Sequence, residues 1–485
     1  MIWEDLRSYL DRLEKLGELR RVAGANWEEE IGGITELIAE RRGPALLFDQ
    51  IPGYPTGYRV AANLFNTPQR IGLALGLGAQ SSFFNLAQRW QEAIQNLDRI
   101  APVEVSWGPI LENVLEGDGL DLYKFPTPKW HENDGGRYIG TGLCVIQRDP
   151  DSGFINVGAY RAAIHDRRTC TLFIEHGKHG DRIRRKHWSR GEKCPVVVSF
   201  GQEPILTALA GSGVYHSPEG ISELEVAGYF QRAPYRVVKG AHTGLPIPAT
   251  AEIALEGFIP SPQEAMAPEG PFGEWTGYYA HGRRPETVIQ VKAIYHRNEP
   301  ILLGSPPSRP IGGQNSASLG GEESATKAKL EVAGIPGIRR VYSLARPYFR
   351  VVSLKQMHAE HVNDVIRLLV PGGDQYNGHH IWVIVDEDIE PSNAAEVLWA
   401  IASRCAPESG VQVIPGTGVW QLDPRIHPED RSSPEQGKGR RPYIAHNLVI
   451  NACRPYDWIG DFPPVCVNSP ELRQKMMEKW RELFS

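Results

Sequence analysis

Apolar residues recur at helical spacing almost at once. Leu6, Leu10, Leu13 and Leu16 follow Asp5, an acceptor suited to capping a helix, and Gly17 is placed to stop it. The pattern predicts an amphipathic opening helix. A second helical stretch near Ile31 to Arg41, a short apolar strand at Ala45 to Phe48 and a helix from Thr67 or Pro68 through Leu77 continue the alternation, which predicts an α/β unit to about residue 105. From Trp107 the period shortens. The runs Gly140 to Gln147, Phe154 to His165, Thr171 to Glu175 and Val196 to Phe200 are rich in β-formers and divided by turn residues, as in a barrel or sandwich of mainly antiparallel strands. This unit runs to about residue 315, where Gly304 to Gly321, dense in Gly, Pro and Ser, reads as an active-site loop or a boundary.

The last third returns to α/β. Ile381 to Val385 reads as a buried strand, Ser392 or Asn393 as a cap, and Ala394 to Ser403 as the helix that follows. Arg431 to Arg441 is polar and basic and reads as a mobile loop. Leu472, Met476, Trp480 and Leu483 make one stripe on a closing helix, suited to packing on a neighbouring domain or subunit. No internal repeat is found. The expected architecture is a multi-domain α/β (α+β) chain with an N-terminal α/β domain over 1–110, a barrel-like domain over 111–315 and a C-terminal α/β and oligomerisation domain over 316–485.

Composition narrows the function classes. A 485-residue chain that is 41% hydrophobic and 23% charged has the profile of a globular protein, and no apolar run reaches the length needed to cross a bilayer. The N-terminus turns acidic at once, unlike a secretory signal, so a cytoplasmic location is expected. The six cysteines (Cys144, Cys170, Cys194, Cys405, Cys453, Cys466) form no C-x-x-C pair, which argues for reduced core thiols over zinc ribbons or a disulfide framework. A net charge of −6 gives no general attraction to nucleic acid. One cation-dense stretch, Arg182 to Arg190, reads as a solvated face or an anion-binding one.

The chemistry centres on Ala267-Pro-Glu-Gly-Pro-Phe-Gly-Glu-Trp-Thr-Gly277. Glu269 and Glu274 stand five apart in a run whose prolines and glycines exclude a regular helix, so the Gly270-Pro271 corner can turn one acid toward the other. Two converging carboxyls do not both ionise easily, and one can keep a proton for general-acid work. A surface turn with two solvated acids is the plainer alternative. Elsewhere, Asn156-Val-Gly-Ala-Tyr-Arg161 falls on a predicted strand, with Gly158 and Ala159 small enough for a flat ligand and Arg161 able to grip a carboxylate. Glu175-His-Gly-Lys-His-Gly180 holds two candidate metal ligands, His176 and His179, and Glu223 falls in the first turn of a helix beginning after Pro218 and Gly220. Asn, His and Glu together suit Mn²⁺ or Mg²⁺. No P-loop or dinucleotide fingerprint occurs, and His358-Ala-Glu-His361 lacks the H-E-x-x-H spacing.

In order, Asn156…Arg161, His179, Glu223 and Glu269-Gly-Pro-Phe-Gly-Glu274 resemble the UbiD family of reversible decarboxylases, over nearly the whole chain. The resemblance implies a central split barrel that binds prenylated FMN, with the flavin phosphate bridged by Mn²⁺ (or Mg²⁺) and K⁺ nearby. It implies Asn156, His179 and Glu223 as metal ligands, and Val157, Gly158, Ala159, Tyr160, Arg161, Lys178 and Tyr215 as cofactor contacts. Arg161, Glu269 and Glu274 would be catalytic. It further implies a small carboxylic acid as substrate, a flavin prenyltransferase as cofactor supplier, a homodimer or higher homo-oligomer, and neither nucleic acid nor membrane as partner. One departure stands out: Asn447, beside His446, occupies the position where many relatives carry a lysine facing the cofactor. The competing readings are a flavin (FMN) oxidoreductase and a non-catalytic anion or nucleic-acid binder.

Overall fold

The structure, a computed structural model, describes residues 2–80, 82–212, 220–307, 321–345, 348–370, 380–419, 422–427 and 443–483. Tyr215, the stretch 431–441 and most of Gly304 to Gly321 lie outside them. No helix among the described residues is long and apolar enough to cross a membrane.

The opening helix, Leu6–Lys15, buries Leu6, Tyr9, Leu10 and Leu13, while the Asp5 side chain accepts from the Ser8 N–H as N-cap. Gly17, at φ +72, ends it in the left-handed conformation that a residue with a Cβ resists. This helix packs on a four-stranded sheet ordered Leu19–Ala23, Ala45–Asp49, Arg59–Ala62, Ile301–Leu303. The fourth strand arrives from far along the chain and pairs with Arg59–Ala62 in parallel. The helix from Pro68 stops at Ala74, short of the expected Leu77, because Gly76 turns the chain at φ +69. A further helix, Phe83–Gln95, capped by Ser82, is not among the expected elements although its apolar residues recur at helical spacing.

The central sheet decides where the site is. Seven of its nine antiparallel strands form a path that starts at Ile155–Gly158, passes through Leu143–Arg148, Cys194–Phe200, Ile253–Ile259, Arg284–His296 and Thr169–Phe173, and ends at Arg161–Ile164, while Asn113–Glu116 and Met266–Glu269 pair with Arg284–His296 off that path. The stretch Phe154 to His165, expected as one strand, is therefore two, at opposite edges of the sheet. Only Ala159 and Tyr160 join them. Three peptide steps reach at most about 11 Å, so the two edges must curl round to meet as a half-barrel. A bulge at Glu256/Gly257 assists the curl, and Gly257 approaches the neighbouring strand so closely that a Cβ would come within 2.3 Å of the Gln290 carbonyl oxygen.

The C-terminal sheet is ordered Ile338–Ala345, Phe349–Leu354, Ile381–Asp386, Tyr443–Ala452, Val411–Val419. Its inner strands are parallel and covered on both faces, by Leu330, Val362, Val365 and Ile366 on one side and Val397 and Ala400 on the other, which explains their continuous apolar runs. The closing helix, Pro470–Lys479, buries none of its residues. Trp480 is its C-cap and Leu483 falls in a separate 3-10 turn, so the expected stripe is broken, and Leu472, Trp480 and Leu483 are exposed. Four of the six cysteines (Cys144, Cys170, Cys194, Cys453) are buried free thiols.

Candidate active site

Arg161 opens a strand at the seam of the half-barrel, directly across from Phe173, and the Phe173 ring lies 4.5 Å from its guanidinium carbon. Phe272 supplies a second aromatic face at 5.1 Å. Between them the guanidinium joins both glutamates of the Pro/Gly-rich run. Nη2 donates to Glu269 Oε2 at 3.0 Å and Nη1 donates to Glu274 Oε1, while Nε lies 2.8 Å from Glu269 Oε1 as a charge contact without hydrogen-bond alignment. All three side chains are buried. Glu269 ends the strand Met266–Glu269, and Gly270, at φ +90, turns the chain so that Glu274 returns to the same cation. The expected convergence is present, with an arginine as its centre.

Burial raises the Glu274 carboxyl above the usual carboxylate range, although Arg161 pulls it down. For Arg161 burial works against charge, but Glu274 and Glu269 outweigh it and hold the guanidinium charged. A residue the sequence did not single out completes the group: Tyr138, fully buried, donates to Glu269 Oε1 at 2.8 Å and tilts its ring over Phe272 at 4.0 Å. Arg284, across the ladder from Glu269, also lowers Glu274 and stands 4.8 Å from the Phe173 ring. Neither residue sits in a motif, so only the fold brings them in.

On the other side of the two-residue link lie the candidate cofactor contacts. Asn156 is buried, with no hydrogen-bond partner for Nδ2 among the described residues. The next N–H, of Val157, donates to Glu223 Oε2 at 2.8 Å, which places Glu223, first residue of the helix Glu223–Gln231, at the free edge of the strand. Gly158 and Ala159, expected to leave room for a ligand, are engaged differently. The Tyr160 ring folds back so far that a Cβ on Gly158 would meet its hydroxyl at 2.7 Å, and the Ala159 N–H donates to the Ala210 carbonyl. The Tyr160 hydroxyl accepts from the Gly180 N–H at 3.2 Å. That ties the link to the helix His179–Ser189, whose first residue, His179, meets the Phe154 ring edge-on at 6.1 Å. Lys178 is its N-cap, 4.0 Å from Glu175.

These residues fit a hard cation and an anion. Burial pushes Glu223 up to about 7, and among the described residues only backbone N–H groups, those of Val157 and Glu223 itself, oppose the shift, so a cation would satisfy a charge that the protein does not. The orphaned Asn156 amide can present oxygen if its two atoms are exchanged, an assignment set by hydrogen bonding. The N-terminal end of the helix His179–Ser189 carries the partial positive charge that suits a phosphate. Among the described residues no three His, Cys, Asp or Glu side chains gather to hold a metal alone, so Asn156 would be needed beside His179 and Glu223. His176 turns away to Asp181, at 3.1 Å. The cation-dense helix is salt-bridged, with Arg184 and Arg185 on Asp181, Lys186 on Asp149 and Asp151, and Arg190 on Asp151.

The three domain models of 3-octaprenyl-4-hydroxybenzoate carboxy-lyase match in order: the N-terminal domain at residues 10–90, the Rift-related domain at 102–310 and the C-terminal domain at 319–450. The chain is 31% identical to a phenolic acid decarboxylase of Streptomyces sp. (strain D7), over 97% of each protein. It is 30% identical to the pyrrole-2-carboxylic acid decarboxylase of Pseudomonas aeruginosa, over 99% of this chain and 98% of that one. The fold matches the UbiD-class enzyme HmfF of Pelotomaculum thermopropionicum, solved with FMN, at a TM-score of 0.81 and 24% identity, over 98% of this chain and 100% of that one. With near-full-length likeness joined to the matched domains, the chain belongs to the UbiD family of carboxy-lyases.

Proposed function

We propose that this protein is a reversible, non-oxidative decarboxylase of an aromatic, heteroaromatic or conjugated α,β-unsaturated acid, working with prenylated FMN. The observation that carries the reading is the single arginine shared by Glu269 and Glu274 at the seam of the half-barrel. The named relatives act on phenolic and pyrrole acids, and the HmfF fold holds FMN, which supports a flavin and a ring-bearing substrate. Asn156, His179 and Glu223 would hold Mn²⁺ (or Mg²⁺) against the cofactor phosphate. Residues 156–161 and Lys178 would line the flavin, and K⁺ would accompany the divalent cation. When bound, the modified flavin supplies the electron sink that side chains lack.

The remaining work belongs to the protein. Arg161 grips the substrate carboxylate through its guanidinium fork, and Glu269, itself fixed by Tyr138, keeps that fork in place. The C–CO₂ bond then breaks and its electron pair stays with the substrate carbon. Glu274, whose raised proton affinity keeps it protonated further up the pH scale than an ordinary glutamate, delivers the proton that makes the new C–H bond and regains one from solvent. At high CO₂ the same steps run backward to carboxylation.

Protein produced beside a flavin prenyltransferase should carry the modified flavin by mass spectrometry, elute as a homo-oligomer and release CO₂ from members of an unsaturated and aromatic acid panel. Full cofactor loading without turnover across the panel would overturn the reading. Hydride exchange between unmodified FMN and a nicotinamide would replace it with an oxidoreductase.

A further inference from the structure

The turn that carries Glu274 is held from behind by a carboxylate that the chemistry above does not use. Asp134 has a fully buried side chain in the turn at residues 131–136. Its Oδ1 accepts from the Gly273 N–H at 3.3 Å, the peptide group one residue before Glu274, and from the Tyr279 hydroxyl at 3.2 Å, five residues after it. Its Oδ2 accepts from the His131 N–H at 3.0 Å and lies 3.5 Å from the His131 ring. The two segments touch at the backbone as well. The Gly135 N–H donates to the Pro271 carbonyl at 2.7 Å, and a Cβ on Gly135 would come within 2.0 Å of the Gly270 carbonyl oxygen. Inside the turn, the Glu274 N–H donates to Tyr278 and the Glu274 carbonyl accepts from Gly277.

We infer that Asp134 is a positioning residue for Glu274, one carboxylate oxygen tying together the two ends of the turn from which the proton donor projects. The inference rests on the proton-donor role proposed for Glu274. A turn of glycines has many backbone states to lose, and Arg161 holds Glu274 only at its tip. Tying positions 273 and 279 to one buried oxygen restricts where the Glu274 carboxyl can point. Tyr138 does for Glu269 what Asp134 does for Glu274, and both belong to the segment 131–138. That segment is thus a common backing for the two acids.

The test compares Asp134→Ala with Asp134→Asn, which keeps an oxygen for Gly273 and Tyr279. In cofactor-loaded enzyme, Asp134→Ala should lower kcat on the order of 100-fold, the cost of roughly 1 Å of misplacement, with KM changed by less than about 3-fold because Arg161 still binds substrate. The solvent deuterium isotope effect on kcat should grow as proton delivery becomes limiting. Asp134→Asn should recover most of the rate. Without any cofactor, amide exchange of the segment 270–280 should quicken in Asp134→Ala and stay near wild type in Asp134→Asn. Wild-type kcat and exchange in Asp134→Ala would overturn the inference, as would equal losses in both variants. If Asp134→Ala fails to fold, Tyr279→Phe removes one tie only, and wild-type exchange together with wild-type kcat in that variant would overturn it. The two readings fail separately: full turnover by Glu274→Gln sinks the proton-donor role and leaves the exchange result standing.

Discussion

Two buried arginines in this molecule each sit between two acids, and they do different things. Arg404 in the C-terminal sheet donates to Asp386 at 2.9 Å and to both oxygens of Asp388 at 2.9 and 2.8 Å, and Arg454 adds a second cation to Asp386 at 3.0 Å. Two charges of each sign balance. Asp388 accordingly lies below its ordinary range, chiefly through its hydrogen bonds to Arg404. At the half-barrel seam Arg161 alone bonds both Glu269 and Glu274. Among the described residues one cation is hydrogen-bonded to the two acids, Arg284 adds only a weaker charge–charge pull on Glu274, and burial still pushes Glu274 up. The first arrangement is a fastener. The second is poised to hold and release a proton.

The difference breaks most sharply at Glu274. Glu274→Gln should keep the fold and any bound flavin but lose 10²- to 10⁴-fold in decarboxylation rate, the usual worth of a placed general acid. Asp388→Asn, the matching change in the other cluster, should leave turnover within about 2-fold and shift only the unfolding midpoint. Steady-state CO₂ release from both variants checks the pair. Equal losses would erase the distinction. Stability should show the reverse order. Arg404→Ala leaves Asp386 and Asp388 with Arg454 alone and should cost about 3 kcal/mol by urea unfolding, whereas Arg161→Met leaves acids that can pick up protons and should cost less.

Their pH dependence should run in opposite senses. Glu274 binds its proton more tightly folded than unfolded, so the stability it contributes falls as pH climbs from the ordinary glutamate range through its raised folded value, and decarboxylation falls with it. Asp388 binds its proton less tightly folded than unfolded. Its contribution is fully present above the ordinary aspartate range and is lost as pH drops through its lowered folded value. Unfolding curves of wild type, Glu274→Gln and Asp388→Asn across pH should assign one slope to each residue. Slopes of the same sign would undo the comparison.

The sequence made some of this legible and hid the rest for identifiable reasons. The Asp5 cap, the apolar run from Ile381 and the Glu223 helix start are local devices, and each stands where its residues point. The meeting of Glu269 and Glu274 was readable because Gly270 and Pro271 exclude regular structure between them. The break at Ala159–Tyr160 was not, because β-formers stand on both sides of Gly158 and Ala159 and only pairing across the whole sheet separates the two ends. Gly158 has a use the sequence did not suggest: its missing side chain also makes room for Tyr160 of the same chain. Tyr138, Asp134 and Arg284 join the site over separations that no local pattern records.

Tyr138 gives the smallest test of the comparison and a sensitive one. Its hydroxyl is the one neutral donor bonded to the Arg161 cluster among the described residues, and it reaches Glu269 rather than Glu274. Tyr138→Phe removes that bond and keeps the ring against Phe272. The loss should be about 1 kcal/mol, since a buried carboxylate oxygen gives up one of its partners but keeps Arg161. If Glu269 serves by fixing the guanidinium, the same change should raise KM for the acid several-fold while kcat falls less, because substrate grip weakens and the proton donor is untouched. A fall in kcat at unchanged KM would instead assign Tyr138 to the proton-delivery side, and the two glutamates would no longer divide the work between holding and donating.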